Sequence, residues 1–234
     1  MKISENITKI RSQIDGKLKA LGREQEDFTL VAVTKTYPVD AIETAISAGI
    51  MHIGENKVQE ATRKIPLISI PYEGFHFIGH LQSNKINGLL NLKPFLVHSV
   101  DSVYIAQLLH KALGRTNRFQ DILIQINSSE EESKSGLTFT TALEAIAEIS
   151  CYSTLCIRGL MTIGKLDKPE VSRPLFRKMK ILFDEIKAKE LPNVQMDYLS
   201  MGMSHDYLIA IEEGANMVRI GSAIFGRRAF GGKA

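Results

Sequence analysis

Eight short apolar runs, each followed by a helix-like pattern, set the limits on what this chain can fold into. The runs are Leu30–Thr34, Met51–Ile53, Phe75–Ile78, Phe95–His98, Asp121–Ile126, Leu155–Leu160, Val194–Leu199 and Asn216–Ile220. Each reads as a strand, because short runs rich in β-branched residues and closed by Gly, Pro or polar residues fit a buried strand. Between them lie helical patterns at Pro38–Ala48, Lys57–Ile65, Ser83–Leu92, Asp101–Leu113, Thr140–Ser150, Glu170–Lys189 and Asp206–Glu213, with a short one at Ser222–Phe225. The Asp at position 101 is expected to cap its helix or favour its first turn. A further helix precedes the first strand, where Ile3, Ile7, Ile10, Ile14, Leu18 and Leu21 form one amphipathic stripe. Strict alternation implies a parallel sheet. Eight units in 234 residues imply an α/β fold, a closed (β/α)8 barrel of the TIM type. An open doubly wound sheet is the alternative, and it usually has fewer strands. No linker or low-complexity segment interrupts the pattern, so one domain is expected over residues 1–234.

Charge and composition exclude several partners. The formal charge is +3 and no Lys/Arg run stands out, so neither nucleic acid nor a membrane surface is an expected partner. No run approaches the roughly 18 apolar residues that span a bilayer, and Met1–Asn6 lacks a signal-peptide core. A cytoplasmic location is expected. The two cysteines, Cys151 and Cys156, do not suit a zinc site. The six histidines (His52, His76, His80, His98, His110 and His205) show no metal-binding spacing, and structural or hydrogen-bonding roles are expected for them. No metal site is expected. Glu130–Glu132 reads as a solvated acidic loop.

In such barrels the active site lies at the C-terminal ends of the strands. That puts Lys35 at the rim, after strand one. Partial desolvation there disfavours an ammonium, and a neutral amine forms Schiff bases with aldehydes. A lysine that merely snorkels to water is the other reading. Gly54-Glu55-Asn56-Lys57 follows strand two, Ser200-Met201-Gly202-Met203-Ser204 follows strand seven, and Arg219-Ile220-Gly221-Ser222 follows strand eight. Barrels often bind phosphate with the last two loops. Glycines admit an anion close to the backbone, and the hydroxyls of Ser200, Ser204 and Ser222 add donors. Ordinary loop glycines and helix caps would look the same. An aldehyde-seeking lysine opposite a phosphate cup suggests pyridoxal 5′-phosphate. Arg219 would then lie near the pyridine ring and, as a donor-only cation, keep its nitrogen unprotonated. A salt-bridged surface arginine is the alternative.

Several segments resemble the YggS/PROSC family, the pyridoxal phosphate homeostasis proteins. They are Ala32–Lys35, Gly54–Glu60, Phe75–Lys85, Ser133–Gly136, Gly159–Met161, Leu199–Ser204 and Arg219–Gly226. The resemblance implies a single barrel like the N-terminal domain of alanine racemase, with pyridoxal phosphate on Lys35. It implies phosphate contacts from Ser200, Gly202 and Ser204 and from Gly221 and Ser222, Arg219 at the pyridine nitrogen, and Asn56 near the cofactor. It also implies a carrier without established turnover, for which pyridoxal phosphate-dependent apo-enzymes are the expected transient recipients; a monomer is expected because no partner-supplied catalytic domain is. His205 stands where an acidic residue is commoner in that family, and Ser222 where threonine is commoner.

A racemase is the competing reading. Two-base racemisation needs an acid/base on the far face of the cofactor, which alanine racemases take from a partner's second domain. No such domain is expected after the barrel closes. Tyr37, two positions from the lysine, is the local candidate. A scaffold barrel without cofactor would leave Lys35 and the paired loops unexplained.

Overall fold

The computed structural model describes residues 2–24, 27–127, 135–164 and 169–226. The acidic stretch at 130–132 and positions 133–134 lie outside them. Helix α1 (Lys2–Ala20) leads into eight strand–helix units: β1 (Thr29–Val33), α2 (Val39–Ser47), β2 (His52–Glu55), α3 (Val58–Lys64), β3 (Gly74–Phe77), α4 (Ile86–Asn91), β4 (Leu96–Val100), α5 (Val103–Gly114), β5 (Gln120–Gln125), α6 (Ala142–Ile149), β6 (Leu155–Met161), α7 (Arg173–Lys187), β7 (Val194–Ser200), α8 (Tyr207–Glu212), β8 (Met217–Ile220) and α9 (Ser222–Phe225). Every strand pairs in parallel with the next, and β8 closes on β1 through Leu30 opposite Val218. This is the closed (β/α)8 barrel that the alternation implied; the open sheet is excluded.

Alternation along the strands divides the core. Val31, Leu96, Leu123, Met161 and Met217 fill the barrel interior with Tyr198 packed against them. The opposite faces carry residues such as Ala32, Ile53, Phe75, Val97 and Ile122, which meet the helices. The stripe on α1 buries Ile7, Ile10, Ile14 and Leu18 against α2, α8 and α9. Strands buried on both faces read as continuous apolar runs, which is why they stood out.

The structure moves several boundaries. Strand β2 continues through Gly54 and Glu55 rather than ending at Ile53, because Glu55 is buried against polar partners. Ser200 lies inside β7, not in the loop after it, while Arg219 lies inside β8, within the strand expected over 216–220. Ser102, not Asp101, caps α5: its Oγ accepts from the Ile105 amide at 3.3 Å. The Asp101 carboxylate sits 3.0 Å from His80 Nδ1 instead.

Candidate functional site

Strand β1 delivers Lys35 to the barrel mouth. Val31 and Val33 point inward, and period-two alternation carries the same side to Lys35. The strand ends at Val33, and Lys35-Thr36 forms a turn with Thr36 at φ +71°. Such a backbone state in a β-branched residue is strained and needs support. Here Glu60 Oε1 accepts from the Thr36 amide at 2.5 Å. Lys64 Nζ, almost wholly buried, lies 2.8 Å from the Thr34 carbonyl, 3.1 Å from the Tyr37 carbonyl, 2.8 Å from Glu60 Oε1 and 2.5 Å from Glu55 Oε1. Thr34 Oγ1 donates to Glu55 Oε1 at 2.6 Å. Burial raises the Glu55 pKa against the opposing pull of Lys64 and Thr34. Polar groups at buried positions thus meet one another behind the lysine turn. Sequence reading missed this brace; its only local signal was the i,i+4 pair Glu60–Lys64.

Lys35, Asn56 and Arg219 line one cavity of about 360 Å³ at the mouth, together with Ile78, Gly79, His80, Gln125, Asn127, Ser135 and Met203. That volume suits a small ligand. Asn56 follows β2 and meets β3's loop closely: a Cβ on Gly79 would sit 2.1 Å from the Asn56 carbonyl oxygen, so only glycine fits there. A larger open groove of about 660 Å³ lies beside the N-terminal ends of β7 and β8, lined by Arg177, Lys180, Glu212 and Glu213 among others. It is remote from the strand C-termini where barrel chemistry sits.

Arg219 is buried, which excludes a surface salt bridge. Its guanidinium donates to the Ser200 carbonyl (2.8 Å), Ser200 Oγ (2.6 Å) and the Thr162 carbonyl (2.7 Å). Burial lowers its pKa to about 10, with Asp206 opposing, so it stays cationic at neutral pH. Ser200 is fully buried, and its hydroxyl lies between Arg219 and His98 Nδ1 (3.1 Å) rather than in an open loop.

The two glycine loops meet. Ser204 Oγ accepts from the amides of Gly221 (3.3 Å) and Ala223 (3.2 Å), so one loop caps the short helix that begins in the other. Gly202, at φ +93°, is packed against α8, where a Cβ would lie 2.6 Å from that of Ala210. Its glycine is explained by backbone and packing. Ser222 is exposed at the start of α9. His205 Nε2 approaches the buried Asp206 Oδ2 at 3.4 Å, and Asp206 Oδ1 accepts from the Met203 amide at 2.7 Å. Tyr37 turns away from the cavity. Its hydroxyl donates to the Gly226 carbonyl at 2.8 Å, and its ring stacks on Phe225 at 4.5 Å.

Three of the histidines are neighbours. His98 Nε2 lies 2.8 Å from His76 Nδ1, and His76 Nε2 lies 2.9 Å from His52 Nδ1. Burial drives the pKa of His76 and His98 well below the usual histidine value, aided by the neighbouring imidazole and, for His98, by Arg219. Both are therefore neutral when folded. An unfolded chain protonates them near 6.5, so their contribution is intact above that pH and is lost as pH falls. Stability is expected to fall below pH 6.5 by up to about 1.4 kcal/mol per pH unit for each of the two. Glu55, with its raised pKa, contributes the opposite slope over its own titration. Denaturant titrations at pH 5.5 and 7.5 check this, and His98→Asn should remove one histidine's share of the slope. Among the described residues no cluster of His, Cys, Asp or Glu has metal-holding geometry, and no helix is long and apolar enough to cross a membrane.

The Lys35 amine and a buried guanidinium line one cavity at the C-terminal mouth of a closed parallel barrel, beside two interlocked glycine loops. The comparisons give the class. The model of the alanine racemase N-terminal domain matches residues 3–229. A pyridoxal phosphate homeostasis protein of Haemophilus influenzae is 41% identical over 97% of each chain. One of Aquifex aeolicus is 36% identical over 98% of this chain and all of that one. The structure of PipY from Synechococcus elongatus with PLP bound superimposes with a TM-score of 0.82 at 31% identity, covering 96% of this chain and all of that one. The chain belongs to the alanine racemase N-terminal domain family and, within it, to the pyridoxal phosphate homeostasis proteins.

Proposed function

We propose that this chain holds pyridoxal 5′-phosphate on Lys35 and acts in intracellular homeostasis of that cofactor, buffering it and delivering it to apo-enzymes. The observation that carries the reading is that Lys35 and the buried Arg219 line the same mouth cavity. Pyridoxal phosphate supplies an aldehyde that an amine can hold covalently and reversibly. The residues present fit it. Lys35 offers the amine, and the braced turn beneath it fixes where that amine starts. Asn56, held by the Gly79 contact, lines the same wall. The loops carrying Gly202, Ser204, Gly221 and Ser222 are assigned to the phosphate, with Ser204 exchanging its amide contacts for it. Ser200 is assigned to Arg219, which it anchors, in place of a direct phosphate contact. Arg219 is assigned to the pyridine nitrogen, where a donor-only cation leaves that nitrogen unprotonated and the ring a weak electron sink.

This set favours holding over turnover. Racemisation needs a second acid/base, and the Tyr37 hydroxyl is committed to Gly226 and lies against Phe225. The carrier works as a monomer in the cytoplasm, with pyridoxal phosphate-dependent apo-enzymes as transient recipients. The test loads the protein with pyridoxal phosphate and splits the sample. One half meets an apo-aminotransferase; the other meets L-alanine in D2O. The carrier reading expects recovered aminotransferase activity and no D-alanine. Steady accumulation of D-alanine would replace it with the racemase reading.

A further inference from the structure

A line of polar side chains crosses the barrel interior from one end to the other. It runs from Glu73, just before β3, through His52, His76 and His98 on three successive strands to Ser200 and Arg219 on β7 and β8. The links are Glu73 Oε2 to His52 Nε2 at 3.1 Å, His52 Nδ1 to His76 Nε2 at 2.9 Å, His76 Nδ1 to His98 Nε2 at 2.8 Å, His98 Nδ1 to Ser200 Oγ at 3.1 Å, and Ser200 Oγ to Arg219 at 2.6 Å. Its outer end opens on a cavity of about 240 Å³ at the floor of the barrel, lined by His52, Glu73, Arg11 and Asp15 among others. Its inner end is Arg219, on the mouth cavity. The Phe95 ring packs over His52 and His76. Gly74 leaves the space they need, since a Cβ there would lie 2.9 Å from His52 Nδ1 and 2.8 Å from Phe95.

The Glu73 end of the line dictates its direction. An ionised carboxylate only accepts, so Glu73 takes the His52 Nε2 proton. His52 Nδ1 then accepts from His76 Nε2, and His76 Nδ1 from His98 Nε2. That leaves His98 Nδ1 as an acceptor for the Ser200 hydroxyl proton. A guanidinium only donates, so Ser200 Oγ accepts from Arg219; with one proton and two lone pairs, the hydroxyl alone would fit either His98 tautomer, and the choice comes from Glu73 through the imidazoles. Burial keeps His76 and His98 neutral.

We propose that Glu73, His52, His76, His98 and Ser200 form one polarised hydrogen-bonded line that positions the Arg219 guanidinium, so that the floor of the barrel sets the acceptor offered to Arg219 at its mouth. The four side chains beyond Ser200 are positioning residues, acting on Arg219 through it. Every lone pair in the line faces Arg219 and every proton faces Glu73. That orientation supports a cation in a buried place where burial opposes it. The consequence for the cofactor rests on the assignment of Arg219 above; the line itself does not.

The experiment is therefore done on ligand-free protein. Long-range proton–nitrogen NMR of histidine- and arginine-labelled samples reads the tautomer of each imidazole and the Arg219 guanidinium signals. At pH 7.5 His52, His76 and His98 are expected as single Nε2–H tautomers. His52→Phe is expected to cost His98 its single-tautomer signature and to shift the Arg219 signals, with His110 unchanged. Glu73→Gln keeps a carbonyl acceptor and should preserve both. An Nδ1–H tautomer at His76 or His98 would overturn the proposal, as would His98 and Arg219 signals indifferent to His52→Phe. In protein loaded with pyridoxal phosphate, His52→Phe should also shift the visible absorption. Failure to load at all would count against the cofactor assignment and leave the tautomer result standing.

Discussion

Lys35→Ala is expected to abolish covalent attachment of pyridoxal phosphate completely while leaving the fold in place. The lysine is half-buried in a turn outside β1, and the apolar core on either side of that strand does not include its side chain. Substitutions away from caps, cavities and buried charges usually change stability by less than about 0.5 kcal/mol. Because Lys35 has polar company in the cavity, a shift of up to about 1 kcal/mol is allowed for. Borohydride-trapped adduct, quantified by intact mass, reads the first part; urea unfolding reads the second. Retained adduct in Lys35→Ala would move the chemistry to another amine. Global unfolding would mean that the residue is structural.

Lys64→Met is expected to act in the reverse way, with a large loss of stability and an indirect loss of function. It strips the ammonium from a site where two carbonyls and two carboxylates converge. Glu55 is left fully buried beside an apolar side chain, with Thr34 as its remaining donor. Breaking a buried pair by removing one partner typically costs about 3–5 kcal/mol. The double variant Lys64→Met, Glu55→Gln should recover part of that, since it removes the uncompensated charge while a glutamine can still accept from Thr34. Adduct formation on Lys35 should slow in the single variant, because the Thr34 and Tyr37 carbonyls that bracket the turn lose their anchor. A cost below about 1 kcal/mol in urea unfolding would show that the brace is not what holds the turn.

The barrel was legible because parallel strands covered on both faces leave apolar runs, and because glycine and proline punctuate them. What the pattern could not give was the length of strands that end in polar residues. Glu55 and Ser200 look like loop residues by composition and are strand residues in fact: Glu55 is partnered by Thr34 and by Lys64 of α3, and Ser200 by Arg219 of the adjacent strand and His98 across the barrel. Lys35 and Arg219 were legible as candidates from their positions at the ends of β1 and β8. Their surroundings were not. The Lys64 brace joins α3 to the turn after β1, and the histidine line depends on inward parity shared by β2, β3 and β4. Such contacts are set by register between strands, which a linear reading of hydrophobic period does not supply. Parity alone, applied to His52, His76 and His98 once the barrel was inferred, would have pointed all three inward.

The central claim, that Lys35 is the amine that holds the cofactor, is tested most directly by one labelling measurement. Protein incubated with pyridoxal phosphate is reduced with borohydride, digested and mapped by mass spectrometry. The account predicts a single pyridoxyl adduct, on Lys35, accompanied by loss of the visible absorption band on reduction. An adduct spread over surface lysines, or a protein that stays colourless and unlabelled in excess pyridoxal phosphate, would contradict it.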